Sequence, residues 1–355
     1  MGLHKRLFTI AVLWSAVGIL VSTNVLAHHG AVTNGALYLT DDFIELDGEL
    51  TEVFWRNPHT RARLSVVDSD GEQTIWELEL GPTPRTFEAR EIYAEDFIGP
   101  VKAAGYRSRR NPESLGVVNL LLPNGQEYVV GNRELLWSNT RMANTAGNGV
   151  FGLGSANTAE AETTADGIFR AWGRFVPGAA RIMQPSEYAR YLTPRARELA
   201  AEYDPVTQNP ELDCRQGMPK TMTDPTPMAI VNDGERIVIR QYEYDIERIV
   251  YMSDENVEPQ TSPLGHSVGR WEADVLVVAT THIDWPYLDQ LGTPQSDQAS
   301  YRETFALATQ GDRLNYSITI TDPIMLNEPF TIEWTRQWVP EIELEPYDCV
   351  VDWRN

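Results

Sequence analysis

The chain has 355 residues, 42% apolar and 23% charged, with 51 acidic side chains against 29 basic ones and a formal net charge of −22. Nucleic acid and anionic lipid are both bound by massed Lys and Arg, so neither is an expected partner, and a mean hydropathy of −0.34 excludes a polytopic membrane protein. The apolar content suffices for two ordinary cores, which excludes wholesale disorder.

Residues 1–27 read as a secretory signal. Lys5 and Arg6 precede an uncharged apolar run from Phe8 to Val21, and Val25-Leu26-Ala27 offers small residues at the positions a signal peptidase reads. Fourteen helical residues span about 21 Å against a hydrocarbon core of about 30 Å, so no integral membrane anchor is expected. The mature chain would be 28–355, periplasmic or secreted, and losing Lys5 and Arg6 takes its charge from −22 to −24. Cys214 and Cys349 are the only cysteines. In an oxidising compartment they are expected to bond and close one domain; a pair of buried free thiols is the alternative.

Residues 28–137 form the first domain, and 38–137 carry period-2 alternation broken by turn residues. Strands are expected at Leu46–Trp55, Arg61–Val67 and Ile75–Leu80, then a helix over Arg85–Glu95, then strands at Val101–Tyr106, Val117–Leu122 and Tyr128–Trp137. Three strands, a helix and two or three more strands suggest a small OB-like barrel, with a sandwich and side helix as the alternative. Residues 138–166 turn to Asn, Thr, Ala and Gly and read as a linker. In the remainder, 167–355, a helix is expected over Pro185–Tyr203, with Thr193 and Pro194 as a cap and first turn inside it. Strands follow at Met228–Val231, Arg236–Tyr244, Arg248–Met252, His266–Glu272, Val275–His282, Tyr301–Thr309, Arg313–Thr321 and Phe330–Val339. So many short strands with so few helices indicate an antiparallel β-barrel or strongly curved sheet with a preceding helix.

Chemistry concentrates in two places. Cleavage after Ala27 makes His28 the N-terminal residue. Its α-amine and imidazole, or His29 with the intervening amide nitrogen, could chelate Cu(II), and His59 is the natural third ligand because Pro58 ends a strand there. Asn57, Asp41 and Asp42 are candidates for orienting the rings. The bland alternative is a solvated terminal pair and a turn histidine. In the second half, Glu243, Arg248, His266, Arg270 and Trp271 form a polar and aromatic group suited to a small-molecule ligand with a polar head. Glu243, Arg248 and His266 could exchange protons there; the alternative is a buried ion-paired network with Trp271 as core. No H-E-x-x-H, G-x-S-x-G, P-loop or G-x-G-x-x-G motif occurs.

Two resemblances rest on these residues. The stretch from His28 to Trp137, with HHG, GELTEVFWRNPH and WELELG, resembles a family of bacterial exported domains of unknown function that share an Ala-His-His start and an Asn-Pro-His strand end. The match falls on His28, His29 and His59, with Gly30 in place of the usual Ser. The stretch from Leu192 to Cys349, with LDCRQGMPKTM, PLGHSVGRWEADVLVVATT and PYDC, resembles a second uncharacterised exported family, Ala273 replacing its usual Gly. Gly167-Ile168-Phe169 is similar to the Gly-x-Trp opening of lipocalin-like (calycin) barrels. Neither exported family implies a reaction. The expectation is an exported binding protein with a copper site and a barrel ligand. An enzyme, either a copper oxidase or an acid–base catalyst, and an envelope interaction module are the alternatives.

Overall fold

The computed structural model describes residues 37–142, 162–175 and 189–350, apart from 58, 89–90, 110, 131–132, 164, 205–206, 225, 254–256 and 341. The segment read as a signal, with His28 and His29, lies outside the described residues. The protein is mainly β and holds two separate barrels.

The first is built from β1 (Tyr38–Phe54), β2 (Arg61–Val67), β3 (Gln73–Glu79), β4 (Gly99–Ser108), β5 (Ser114–Leu121) and the short β6 (Glu127–Val129). β1 pairs with β2 through its C-terminal end and with β4 through the rest, so one 17-residue strand serves both halves. A register shift between Leu50 and Glu52 bends it. β2 pairs with β3, β3 runs parallel to β5, and β5 pairs with β4, which closes a five-stranded ring. With its helical connection between β3 and β4, this is the OB-like arrangement expected. The alternation of IWELEL sends Trp76, Leu78 and Leu80 inward, onto Leu50, Leu64, Phe87, Phe97, Val117 and Leu120.

Two local expectations are corrected. The helix over Arg85–Glu95 is broken into α1 (Pro84–Glu88) and a 3-10 turn (Ala94–Phe97), with Glu91 at φ 57° between them. The strand over Tyr128–Trp137 stops at Val129. There the buried Glu127 carboxylate accepts from the amides of Leu136, Trp137 and Ser138, so these N–H groups serve a side chain instead of a ladder.

The second barrel has nine strands: β7 (Ala171–Phe175), β8 (Met228–Asn232), β9 (Arg236–Gln241), β10 (Ile246–Tyr251), β11 (His266–Glu272), β12 (Val275–Thr281), β13 (Ser300–Leu307), β14 (Arg313–Thr321) and β15 (Phe330–Trp338). Of these, only β7 was absent from the strands expected. The count is one more than the eight of a lipocalin barrel. An odd number of strands cannot close as a meander of antiparallel pairs alone. The β15–β7 closure is antiparallel, and the one parallel pair falls at β10–β11. Residues 252–265 supply the long return that parallel pairing requires. Phe169 packs edge-on against Trp271, whereas Trp172 is fully buried, its Nε1 donating to the Ile168 carbonyl at 3.0 Å.

α2 (Pro194–Glu202) precedes β8 and is shorter than the helix expected over Pro185–Tyr203: residues 189–193 are not helical, because the helix is capped at Thr193, whose hydroxyl accepts from the Ala196 amide, and Pro194 takes the first turn. A short α3 (Lys220–Thr223) lies between it and β8. Cys214 and Cys349 stand at disulfide distance, with Cα atoms 6.0 Å apart. No helix among the described residues is long and apolar enough to cross a membrane.

Candidate functional site

β2 and β3 set the first site. Their register places Arg61 opposite Glu79, and His59 lies two residues before Arg61. Leu78 and Leu80 face the core, so Glu79 points outward, toward His59. His59 Nδ1 and Glu79 Oε1 are 2.7 Å apart, and both side chains are mostly buried. Burial opposes the charge on Glu79, yet the hydrogen bond and charge of His59, with Arg61 and a hydrogen bond to Tyr38, bring its pKa from 4.5 down to about 2. An ionised carboxylate on Nδ1 makes Nδ1–H the donor to Glu79 and leaves Nε2 as the other nitrogen of the ring. Tyr38 is held in turn by Gly116 of β5: a Cβ at that position would come within 2.5 Å of the tyrosine ring.

Two of the three expected orienting groups, Asn57 and Asp42, bond elsewhere. Asp42 accepts from Arg107 Nε at 2.9 Å, and Asn57 Nδ2 donates to the Tyr347 carbonyl. The partner sequence reasoning missed is Glu79. Its signal was present, since alternation puts Glu77 and Glu79 on one outward face and a β2–β3 hairpin brings its end beside His59. Among the described residues no group of three or more His, Cys, Asp or Glu is placed to hold a metal.

In the second barrel, Arg248, His266 and Glu243 are not brought together. Arg248 points inward, fully buried, and reaches one residue on each of three further strands. It makes a two-pronged pair with Glu303 of β13 and bonds to Ser267 of β11 and Thr280 of β12, while Tyr316 of β14 donates to Glu303 at 2.6 Å. This lattice straps β10 to β11, where the ladder has only two residue pairs. Burial alone would lower the guanidinium pKa, but Glu303 outweighs it and the net shift is upward. Burial and the Glu303 charge raise the Tyr316 phenol well above its ordinary range, so it stays a donor. His266 lies on the opposite face of β11, stacked on Tyr251 at 5.3 Å. Glu243 sits in the 3-10 turn before β10, where it acts on Lys220, Tyr244 and Tyr347. Arg270 is exposed and pairs with Glu272. Trp271, expected as core in the network alternative, is 44% exposed instead, near the end of its strand.

Sequence reasoning did not find Glu303, Thr280 or Tyr316, although the alternation of Tyr301, Glu303 and Phe305 marks all three as one inward face. Among the remaining buried charges, Arg336 donates to the carbonyls of Gly173, Thr226 and Asp224, and burial lowers its pKa to about 10.

Comparison with known proteins adds one finding. Residues 17–95, which take in β1 to β3 and α1, match a family of unknown function, DUF6152. No curated protein matches the chain. The matched stretch contains both His59 and Glu79.

Proposed function

We propose that this is an exported metal-binding protein in which the mature N-terminus at His28 and the imidazole of His59 hold copper. The observation that carries this reading is the His59–Glu79 pair. Metal-ligating histidines almost always give their second ring N–H to a carboxylate or carbonyl, which fixes the tautomer and raises ligand basicity. A solvated turn histidine has no need of a mostly buried, fully ionised partner. Tyr38 adds a second support: it bonds to Glu79 and is the first residue of β1. The ten residues 28–37 span at most about 35 Å when extended, so His28 is tethered within reach of His59. The α-amine and imidazole of His28, or His29 with the preceding amide nitrogen, would supply the remaining nitrogens, a donor set that favours Cu(II).

The second barrel carries no comparable ligand argument, because Arg248 has committed its donors to Glu303, Ser267 and Thr280. We assign its charged interior to holding the barrel closed. The test is N-terminal sequencing of the exported chain, followed by calorimetric titration with Cu(II). One equivalent should bind to a chain beginning at His28, and Glu79→Gln should weaken it about 10–100-fold. A chain beginning elsewhere defeats the proposal.

A further inference from the structure

A second donor set, of different chemistry, lies at the α3 end of the nine-stranded barrel. Met228 opens β8, Gln241 closes β9, and the two are ladder partners; Met222 comes from α3. Gln241 Nε2 is 3.4 Å from the Met222 sulfur and 3.7 Å from the Met228 sulfur. All three side chains are buried, Gln241 at 4% exposure. The other end of this amide, Oε1, is buried with no hydrogen-bond partner, and so is the hydroxyl oxygen of Thr226, two residues before Met228.

Buried acceptors are seldom left unsatisfied, and an N–H aimed at two thioethers is a poor use of a strong donor. A half-turn of the amide would bring Oε1 beside both sulfurs and produce a convergent S, S, O set of lone pairs. Such a set is repulsive when empty and favourable around a cation. Thioethers select soft monovalent d10 ions, while zinc prefers thiolate and imidazole and the alkaline-earth ions prefer oxygen. The local charge also suits a cation: Lys220, on the same short helix as Met222, is acted on by Asp224, Glu211 and Glu243, and its own charge is felt by Asp289. Against these four acids the neighbourhood sets Lys220, Arg336 and, acting on Tyr242, Arg85.

We propose that Met222, Met228 and Gln241 form a thioether site for a soft monovalent cation, Cu(I) or Ag(I), distinct from the histidine site on the first barrel. Because the three side chains are buried, the ion enters only when α3 lifts, and binding is slow.

The experiment uses the full mature chain with 13C-labelled methionine methyl groups, titrated with Ag(I) and read by NMR. Each methyl reports its own residue, so silver or copper at the terminal histidines does not confuse the result. One equivalent of Ag(I) should displace the Met222 and Met228 signals in slow exchange, assigned through Met222→Leu and Met228→Leu. The Met252 and Met325 signals should stay in place. Gln241→Leu should weaken binding by about tenfold or more, the scale seen when a ligand shell is damaged. The proposal is overturned if the Met222 and Met228 methyls do not move with excess silver, if only Met252 and Met325 respond, or if Gln241→Leu binds as tightly as the parent chain.

Discussion

The two barrels handle polar chemistry in opposite ways. The five-stranded barrel keeps its interior apolar, from Leu50 and Leu64 to Phe87 and Phe97, and carries its histidine–carboxylate pair on the outside of the wall. The nine-stranded barrel is wider, and its interior takes in Arg248, Glu303, Tyr316 and Arg336 along with a large apolar cluster. A narrow ring is filled mostly by apolar side chains, with Tyr128 giving its one hydroxyl to the Leu80 carbonyl. A wider one admits long polar side chains, and these must then satisfy one another. The histidine–carboxylate pair thus stands on the wall of the first barrel, and the Arg248–Glu303 charges of the second are consumed in its own closure.

This contrast can be broken first at the bridge. By loop-closure entropy, replacing Cys214 and Cys349 with Ser should cost about 4–5 kcal/mol, because the span of 135 residues is long. Urea unfolding followed by near-UV dichroism should show the loss in the nine-stranded barrel, and an unchanged midpoint would remove the bridge from the account. Next comes the strap. Glu303→Ala leaves Arg248 buried beside no carboxylate and should cost about 3–5 kcal/mol, whereas replacing both by Met and Leu should come close to neutral. If the single variant is as stable as the parent, the interior network is not what closes the β10–β11 seam.

The third concerns pH and the first barrel. The Glu79 pKa is lowered on folding, so its contribution is complete above the ordinary 4.5 and disappears as pH falls toward 2. A shift of that size corresponds to about 3 kcal/mol at neutral pH. Unfolding of Glu79→Gln should therefore differ from the parent most at pH 7 and converge with it near pH 2. A constant difference across that window would mean that the His59 pair is not the cause. The smallest effect is expected at the surface: removing the exposed Arg240–Glu247 pair should change stability by about 1 kcal/mol or less.

Most of the strand order was legible because alternation is a local property, readable from IWELEL or RETFAL without knowing any partner. What sequence could not supply was the pairing. Nothing near Arg248 announces that its carboxylate lies 55 residues away in Glu303, because that contact follows from barrel closure. His266 and Arg248 were grouped by residue type, and the pleat set them on opposite faces. The break after Val129 is the same lesson at short range, since one buried Glu127 diverted three amides that a propensity reading assigned to a strand. His59 was found from its Asn-Pro-His context, but the carboxylate that orients it needed the β2–β3 register.

The central claim, that His59 is a metal ligand held by Glu79, is tested most directly by electron paramagnetic resonance of the mature chain with one equivalent of Cu(II), compared with His59→Ala. Loss of one coordinated imidazole nitrogen from the spectrum of the variant, with the fold retained, is the predicted result. Identical nitrogen couplings in the two proteins would contradict it.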